Sequence, residues 1–127
     1  MKLVHTSIHV RDLEKSIAFY KDALGFEIQM EMQLGDDKLV FMGSQDGGAQ
    51  VELTWLKEQG DKQYDIGEEE VIHLGFHVDN FEEVKLKHQE KGYICFDPDY
   101  MPPYFIADPD GYWLEMIPAG PPPSSIG

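Results

Sequence analysis

The sequence contains an internal repeat, and this duplication restricts the fold more than any other feature. Residues 4–10 (VHTSIHV) alternate apolar and polar side chains in the same way as residues 72–78 (IHLGFHV). Further along each half, residues 50–53 (QVEL) match residues 113–116 (WLEM). The matched segments occur in the same order in both halves. A repeat of this kind predicts that each half is one supersecondary unit and that the chain contains two copies of it.

Each half predicts the order strand–helix–strand–strand–strand. Residues 4–10 have the period-two pattern of a half-buried strand, and Asp12 is a suitable N-cap for a helix that ends before Gly25. In the second half, Asp79 and Asn80 are expected to cap a helix over about 81–91. Further strands are expected near 26–33, 38–43, 49–56, 93–96, 104–107 and 112–117.

The length of 127 residues is that of one compact domain. We expect a single domain over 1–118, with repeat 1 at about 1–57 and repeat 2 at about 71–118. An acidic, turn-rich connector separates the repeats, and a Pro-rich C-terminal tail follows at 119–127.

The charge excludes polyanionic partners. The chain has 10 Lys and Arg against 24 Asp and Glu, a net charge of −14, so neither nucleic acid nor an anionic membrane surface is an expected partner. No apolar run approaches the roughly 20 residues that a membrane span needs. The single Cys95 and the absence of a signal-peptide pattern favour a cytoplasmic location, and we expect Cys95 to be a small core residue.

The repeat places two His and two Glu at equivalent positions: His5 matches His73, and Glu52 matches Glu115. Strand alternation directs these side chains to the face opposite the apolar residues of each strand. A pseudo-twofold arrangement would gather two imidazoles and two carboxylates on one concave surface, a donor set that suits Zn, Ni, Cu, Fe or Mn. A single His or Glu on a strand is usually solvated, so the paired recurrence carries this hypothesis.

His9 and His77 form a third repeated pair on the same strand faces. They lie one pleat from His5 and His73, so they are candidates for the second shell of a metal, for substrate contact, or for simple solvent exposure.

The residues resemble the vicinal oxygen chelate (glyoxalase/bleomycin resistance/dioxygenase) superfamily, and within it the bacterial glyoxalase I (lactoylglutathione lyase) enzymes, over residues 2–117. The segments that carry the resemblance are 3–6 (LVHT), 12–20 (DLEKSIAFY), 51–54 (VELT), 72–74 (IHL) and 108–115 (DPDGYWLE). The order His, Glu, His, Glu is the most specific part. Dioxygenases of this fold usually have two His and one Glu, and epimerases often have Gln where this chain has Glu52.

The resemblance implies an α+β fold of two βαβββ modules that form a cupped, barrel-like mixed sheet with flanking helices. It implies one divalent metal per site, Ni²⁺ or Co²⁺ before Zn²⁺ or Mn²⁺, with His5, Glu52, His73 and Glu115 as ligands. Family members commonly build the site across a homodimer interface, and others build it within one chain. The implied reaction converts the hemithioacetal of a 2-oxoaldehyde and a thiol into a 2-hydroxyacyl thioester, with Glu115 as the main base and Glu52 as the second catalytic carboxylate.

The chain departs from glyoxalase I where glutathione is held. Those enzymes usually carry Arg at the position of His9 and Asn at the position of Leu56, and residues 97–107 contain no basic residue. An apolar, aromatic pocket wall is suggested by Tyr100, Met101, Tyr104, Phe105 and Trp113, although core packing is the commoner role for any one of them. Two alternatives follow: another metal-dependent enzyme of the superfamily, such as an epimerase or lyase on a different substrate, and a non-catalytic small-molecule binding or resistance protein. The complete ligand set argues against the binding protein, because such binders typically lack it.

Overall fold

The computed structural model describes residues 1–59 and 72–120 of the chain. It divides into two compact units, one comprising Met1–Asp65 with Asp108–Asp110 and the other Ile66–Ala107 with Gly111–Gly127. Most of the predicted connector and residues 121–127 of the predicted tail lie outside the described residues.

The first unit is a βαβββ module. Its sheet has the order β1-β4-β3-β2, in which β1 and β4 are parallel and the other pairs are antiparallel. In chain order the elements are β1 (His5–His9), α1 (Leu13–Leu24), β2 (Glu27–Leu34), β3 (Asp37–Gly43) and β4 (Gln50–Trp55).

Local capping sets the ends of α1 as the sequence predicts. The Asp12 side chain accepts a hydrogen bond from the backbone N–H of Lys15 at 3.1 Å, which satisfies one donor of the first turn. Gly25 ends the helix with φ of 68°, a left-handed conformation that glycine adopts without steric cost.

The second unit has the same architecture, with the sheet order β5-β8-β7-β6 and β5 parallel to β8. The two open mixed sheets, each with its own helix, confirm the predicted α+β class and the two βαβββ modules. The elements are β5 (His73–Val78), α2 (Phe81–Glu90), β6 (Ile94–Phe96), β7 (Tyr104–Ala107) and β8 (Trp113–Pro118).

The start of α2 differs from the prediction. Asn80 occupies the N-cap position, but its backbone is left-handed with φ of 54° and its side chain makes no capping hydrogen bond. A capping side chain normally needs an extended backbone to reach the amides of the first turn, and the left-handed conformation removes that geometry. Asn80 therefore occupies the expected cap position without a side-chain cap, and the helix begins where expected.

The apolar strand faces form the core of each unit. Ile8, Val10 and Leu53 are buried in the first unit, and Leu114 and Met116 are buried in the second. Because side chains alternate along a strand, the opposite faces carry the predicted His and Glu residues.

Tyr104 is fully buried, which agrees with core packing, the commoner of the two roles considered for it. One prediction about the second unit was wrong. Cys95 is exposed rather than in the core, because it lies on β6, the edge strand of the sheet. No helix within residues 1–59 and 72–120, including the short 3-10 helix Lys57–Gln59, is long and apolar enough to cross a membrane.

Candidate functional site

Each unit brings together one of the predicted His–Glu pairs. In the first unit the Nε2 atom of His5 lies 3.3 Å from Oε1 of Glu52. In the second unit the Nε2 atom of His73 lies 3.3 Å from Oε1 of Glu115. The two pairs therefore use the same atoms at the same distance.

This spacing is compatible with two ligands of one cation. Nitrogen and oxygen ligands bound at about 2.1 Å and separated by about 90 to 110° lie about 3.0 to 3.4 Å apart. Imidazole nitrogen and carboxylate oxygen are also a suitable donor set for a borderline divalent metal. Each pair fits half of a four-ligand site.

The described ranges 1–59 and 72–120 contain no group of three or more His, Cys, Asp or Glu side chains close enough to hold a metal ion. What the structure brings together is thus two pairs, His5 with Glu52 and His73 with Glu115.

The imidazoles are partly exposed and the carboxylates are more enclosed. The His5 and His73 side chains are 41% and 35% exposed, whereas those of Glu52 and Glu115 are 12% and 23% exposed. Both pairs are therefore accessible to a ligand from solvent, and Glu115 is the more accessible of the two carboxylates.

An aromatic ring packs against each imidazole. Phe41 contacts His5 edge-on at 5.3 Å between ring centroids, and Phe105 contacts His73 in the same way at 5.2 Å. In register, Phe41 is the partner of Glu52 and Phe105 is the partner of Glu115. These phenylalanines restrict the ring orientation of the two histidines, and sequence reasoning had not assigned Phe41 a role.

Two hydroxyl groups surround Glu52. Thr54 donates to Oε2 of Glu52 at 2.7 Å, and Ser7 lies 3.3 Å from the same oxygen. The two hydroxyl oxygens are 2.9 Å apart. Sequence reasoning missed these residues as functional candidates. Strand alternation places Ser7 on the face of His5, but the parallel register that sets Ser7 opposite Glu52 is visible only in the structure.

The equivalent positions around Glu115 carry no hydroxyl. Gly75 is the register partner of Glu115, as Ser7 is of Glu52. Ile117 is the partner of His77, as Thr54 is of His9. The two carboxylates of the repeat therefore have different surroundings.

His9 and His77 lie on the strand faces that carry the pairs, as expected. His9 is the register partner of Thr54 and is half-buried, whereas His77 is the partner of Ile117 and is exposed. Both residues lie next to the His–Glu pairs, and contact of His9 and His77 with a substrate stays a prediction.

An aromatic cluster borders the second pair. Phe96 and Trp113 are stacked at 6.0 Å with an interplanar angle of 21°, and Phe105 packs 5.1 Å from Trp113. Phe105 and Trp113 are the register partners of Glu115 and His73, respectively. This face of the second sheet is therefore apolar and aromatic beside the pair, as expected for Phe105 and Trp113, and Phe96 extends it.

A second polar cluster lies within the second unit. Nδ1 of the buried His88 is 2.8 Å from the hydroxyl oxygen of Tyr104, and Lys85 forms a 3.0 Å ion pair with Asp97. The hydrogen bond from Lys85 holds the pKa of Asp97 below its ordinary value. Burial, with the nearby charges of Asp97 and Glu82, raises the pKa of Tyr104. Tyr104 therefore stays protonated at neutral pH and can hydrogen-bond to His88.

The chain is similar to three proteins of known name or structure. The chain is 33% identical to a probable lactoylglutathione lyase of Synechocystis sp. over 127 residues, covering 92% of this chain and 95% of that protein. It is also 33% identical to the lactoylglutathione lyase of Salmonella typhimurium, with coverages of 94% and 93%. Among solved structures, the trypanothione-dependent glyoxalase I of Leishmania major superposes with a TM-score of 0.79 at 27% identity, covering 93% of this chain and 86% of that one.

A sequence model of a protein family matches residues 2–116 of the chain. The matched range includes both βαβββ modules and the His–Glu pair of each module. We conclude that the chain belongs to the Glyoxalase/Bleomycin resistance protein/Dioxygenase superfamily.

Proposed function

We propose that the protein is a metal-dependent lyase of the glyoxalase I type. It would isomerise the hemithioacetal of a 2-oxoaldehyde and a thiol to the 2-hydroxyacyl thioester. The observation that carries this proposal is the His–Glu pair at 3.3 Å, repeated with the same atoms in both modules. The match to lactoylglutathione lyases over more than nine-tenths of the chain supports it.

In this proposal His5, Glu52, His73 and Glu115 hold one divalent metal ion. Both pairs are needed for four protein ligands, since each supplies one nitrogen and one oxygen. When bound, the ion would supply a Lewis acid toward the substrate oxygens. Ni²⁺ or Co²⁺ is the preferred ion, and Zn²⁺ or Mn²⁺ are alternatives.

Glu115 is proposed as the main catalytic carboxylate. Its task is to remove the proton from C1 of the hemithioacetal and to return a proton at C2, first as general base and then as general acid. The greater exposure of its side chain relative to Glu52 supports this division of roles. Glu52 is proposed as the second ligand and second catalytic carboxylate.

The thiol of the proposed substrate is expected to differ from the glutathione of the lactoylglutathione lyases. The imidazole of His9 lacks the paired N–H groups with which Arg binds a carboxylate in a bidentate manner, and Leu56 offers no side-chain donor. The similar Leishmania major enzyme is described as trypanothione-dependent, so enzymes of this fold differ in their thiol. We therefore propose that the thiol carries less negative charge than glutathione.

The remaining parts of the proposal concern the setting of the enzyme. We propose a homodimer in the cytoplasm that removes methylglyoxal or a related 2-oxoaldehyde. His9 and His77 are proposed to contact the substrate, because they lie on the same strand faces as the pairs.

A second candidate function is another metal-dependent reaction of the superfamily, such as epimerisation or elimination on a different carbonyl acid. The observation that favours it is the aromatic cluster of Phe96, Phe105 and Trp113 beside the second pair. Such a surface suits an apolar substituent better than a charged tripeptide.

A panel of thiols separates these functions. Protein reconstituted with Ni²⁺ is mixed with methylglyoxal and glutathione, cysteine, coenzyme A or a neutral aryl thiol, and thioester formation is measured. The proposal predicts turnover with at least one thiol and a lower KM for the neutral thiol than for glutathione. Stoichiometric Ni²⁺ binding without thioester from any thiol would favour the second candidate function. Absence of metal binding would favour a non-catalytic binding protein.

A further inference from the structure

The two Glu residues of the repeat occupy equivalent positions but differ in what holds them. Oε2 of Glu52 accepts a hydrogen bond from Thr54 at 2.7 Å, and Ser7 contacts the same oxygen at 3.3 Å. Among residues 1–59 and 72–120, no hydroxyl group donates a hydrogen bond to Glu115. Its ion-pair contact there is with His73.

We propose that Ser7 and Thr54 are positioning residues that fix Glu52 as a static ligand, whereas Gly75 and Ile117 leave the Glu115 carboxylate free to move and transfer protons. This inference rests on the proposed function and deepens it. It assigns a structural cause to the different roles of two carboxylates that the repeat would otherwise make equivalent.

The hydrogen-bond directions around Glu52 follow from counting protons. Ser7 and Thr54 have one hydroxyl proton each, and an ionised carboxylate can only accept. Thr54 donates to Oε2 at 2.7 Å, and Ser7 donates either to the same oxygen or to Thr54 Oγ1 at 2.9 Å. In either arrangement the hydroxyl groups hold Oε2, and Oε1 remains directed at His5.

Burial makes this arrangement stiff. Thr54 is only 7% exposed, and a β-branched side chain in a strand has few accessible rotamers. A hydroxyl fixed in this way restricts rotation of the carboxylate that it binds. Residues that orient a metal ligand in this manner typically change metal affinity by about 10- to 100-fold when removed.

The second module has space for the same hydroxyl groups but lacks them. A Cβ atom built on Gly75 would lie 3.6 Å from Oε1 of Glu115 and 3.4 Å from Cδ1 of Ile117, which are ordinary contact distances. The Cβ of a serine at this position would therefore make ordinary contacts with its neighbours. Gly75 thus has no side chain beside Glu115 where Ser7 stands beside Glu52, and Ile117 has no hydroxyl group where Thr54 has one.

The first test removes the hydroxyl groups from Glu52. The Ser7→Ala/Thr54→Val variant is stripped of metal and titrated with Ni²⁺ by calorimetry. We expect Kd to rise about 10- to 100-fold relative to the parent protein. Thr54→Ser should raise Kd much less, because it keeps the hydroxyl group and loses only the β-branch. An unchanged Kd in the double variant would overturn the inference. Thermal unfolding of the metal-free proteins verifies that all variants are folded.

The reciprocal test adds hydroxyl groups beside Glu115. The Gly75→Ser/Ile117→Thr variant is expected to lower kcat at least 10-fold while the Ni²⁺ Kd stays the same or falls. The matched control, Gly75→Ala/Ile117→Val, has side chains of nearly the same size and shape as Ser and Thr but no hydroxyl groups, and it is expected to retain kcat. Equal kcat in the two variants would overturn the proposed mobility of Glu115.

A readout without metal or substrate separates this inference from the proposed function. In crystal structures of the metal-free protein, we expect one conformer of the Glu52 carboxylate and more than one of Glu115. In the Ser7→Ala/Thr54→Val variant, we expect the Glu52 carboxylate to adopt more than one conformer. This result supports the inference even if the protein turns over no hemithioacetal. A parent protein that turns over a hemithioacetal while both carboxylates are equally ordered would retain the proposed function and overturn the inference.

Discussion

The hydrogen bond between Tyr20 and Asp108 provides a quantitative test of how the first unit is held together. Tyr20 is fully buried on α1, and its hydroxyl donates to Oδ2 of Asp108 at 2.8 Å. Asp108 is 5% exposed, and its other oxygen accepts the backbone N–H of Asp110 at 2.9 Å. Tyr20→Phe removes the hydroxyl and keeps the ring, so the change tests the hydrogen bond with little loss of packing.

The expected cost follows from burial. Removing a hydrogen bond to a buried carboxylate costs about 1.5 to 3 kcal/mol, and Asp108 is only 5% exposed. For a chain of this length, that loss in the free energy of unfolding corresponds to a decrease in Tm of roughly 5 to 15 °C.

Urea denaturation followed by circular dichroism measures the effect, with the m-value used to verify that the unfolded state is unchanged. The matched control is Tyr100→Phe, because Tyr100 is 84% exposed and should change the unfolding free energy by less than about 0.5 kcal/mol. If Tyr20→Phe costs no more than Tyr100→Phe, the hydrogen bond to Asp108 does not stabilise the fold and the reasoning is wrong.

Three further predictions concern a helix cap, an ion pair and the proposed base. Asp12→Ala removes the cap of α1 and should lower the free energy of unfolding, measured by urea titration, by about 1 kcal/mol. An unchanged free energy of unfolding would contradict the role of this cap. The hydrogen bond from Lys85 holds the folded-state pKa of Asp97 below its unfolded value, so this pairing stabilises the fold at neutral pH and the contribution is lost as the pH falls through the folded-state pKa. Lys85→Met should therefore destabilise the protein at pH 7 and have a smaller effect in acid, once Asp97 is protonated, and an equal effect under both conditions would contradict the assignment. Glu115→Gln should keep bound Ni²⁺ and lower turnover at least about 100-fold, whereas full activity with normal metal content would remove Glu115 as the base.

Much of the fold could be predicted because its determinants are local. The period-two alternation of residues 4–10 predicts β1, and Asp12 and Gly25 mark the ends of α1. The repeat then transfers the same element order to the second half, where β5, α2 and β8 appear in sequence. The structure differs at Asn80, because its left-handed backbone depends on how the chain enters α2 and not on its residue type alone.

The His–Glu pairs could also be predicted, since strand alternation determines on which face a side chain lies. The hydroxyl groups of Ser7 and Thr54 could not be assigned to Glu52, because the pairing of β1 with β4 joins segments that are distant in sequence. The same limit left two roles open for Tyr104, core packing and a pocket wall. Tyr104 and Phe105 are adjacent and must face opposite sides, and only the register of Phe105 with Glu115 shows which of them faces the core.

The central claim, a metal-dependent isomerisation of a hemithioacetal, is tested most directly by one measurement on the intact protein. The rate of thioester formation from methylglyoxal and the best thiol of the panel is measured after removal of metal with a chelator and again after addition of one equivalent of Ni²⁺. We predict a negligible rate in the stripped protein and full recovery with Ni²⁺. A stripped protein as active as the reconstituted one would contradict the metal dependence, and a reconstituted protein that forms no thioester would contradict the reaction itself.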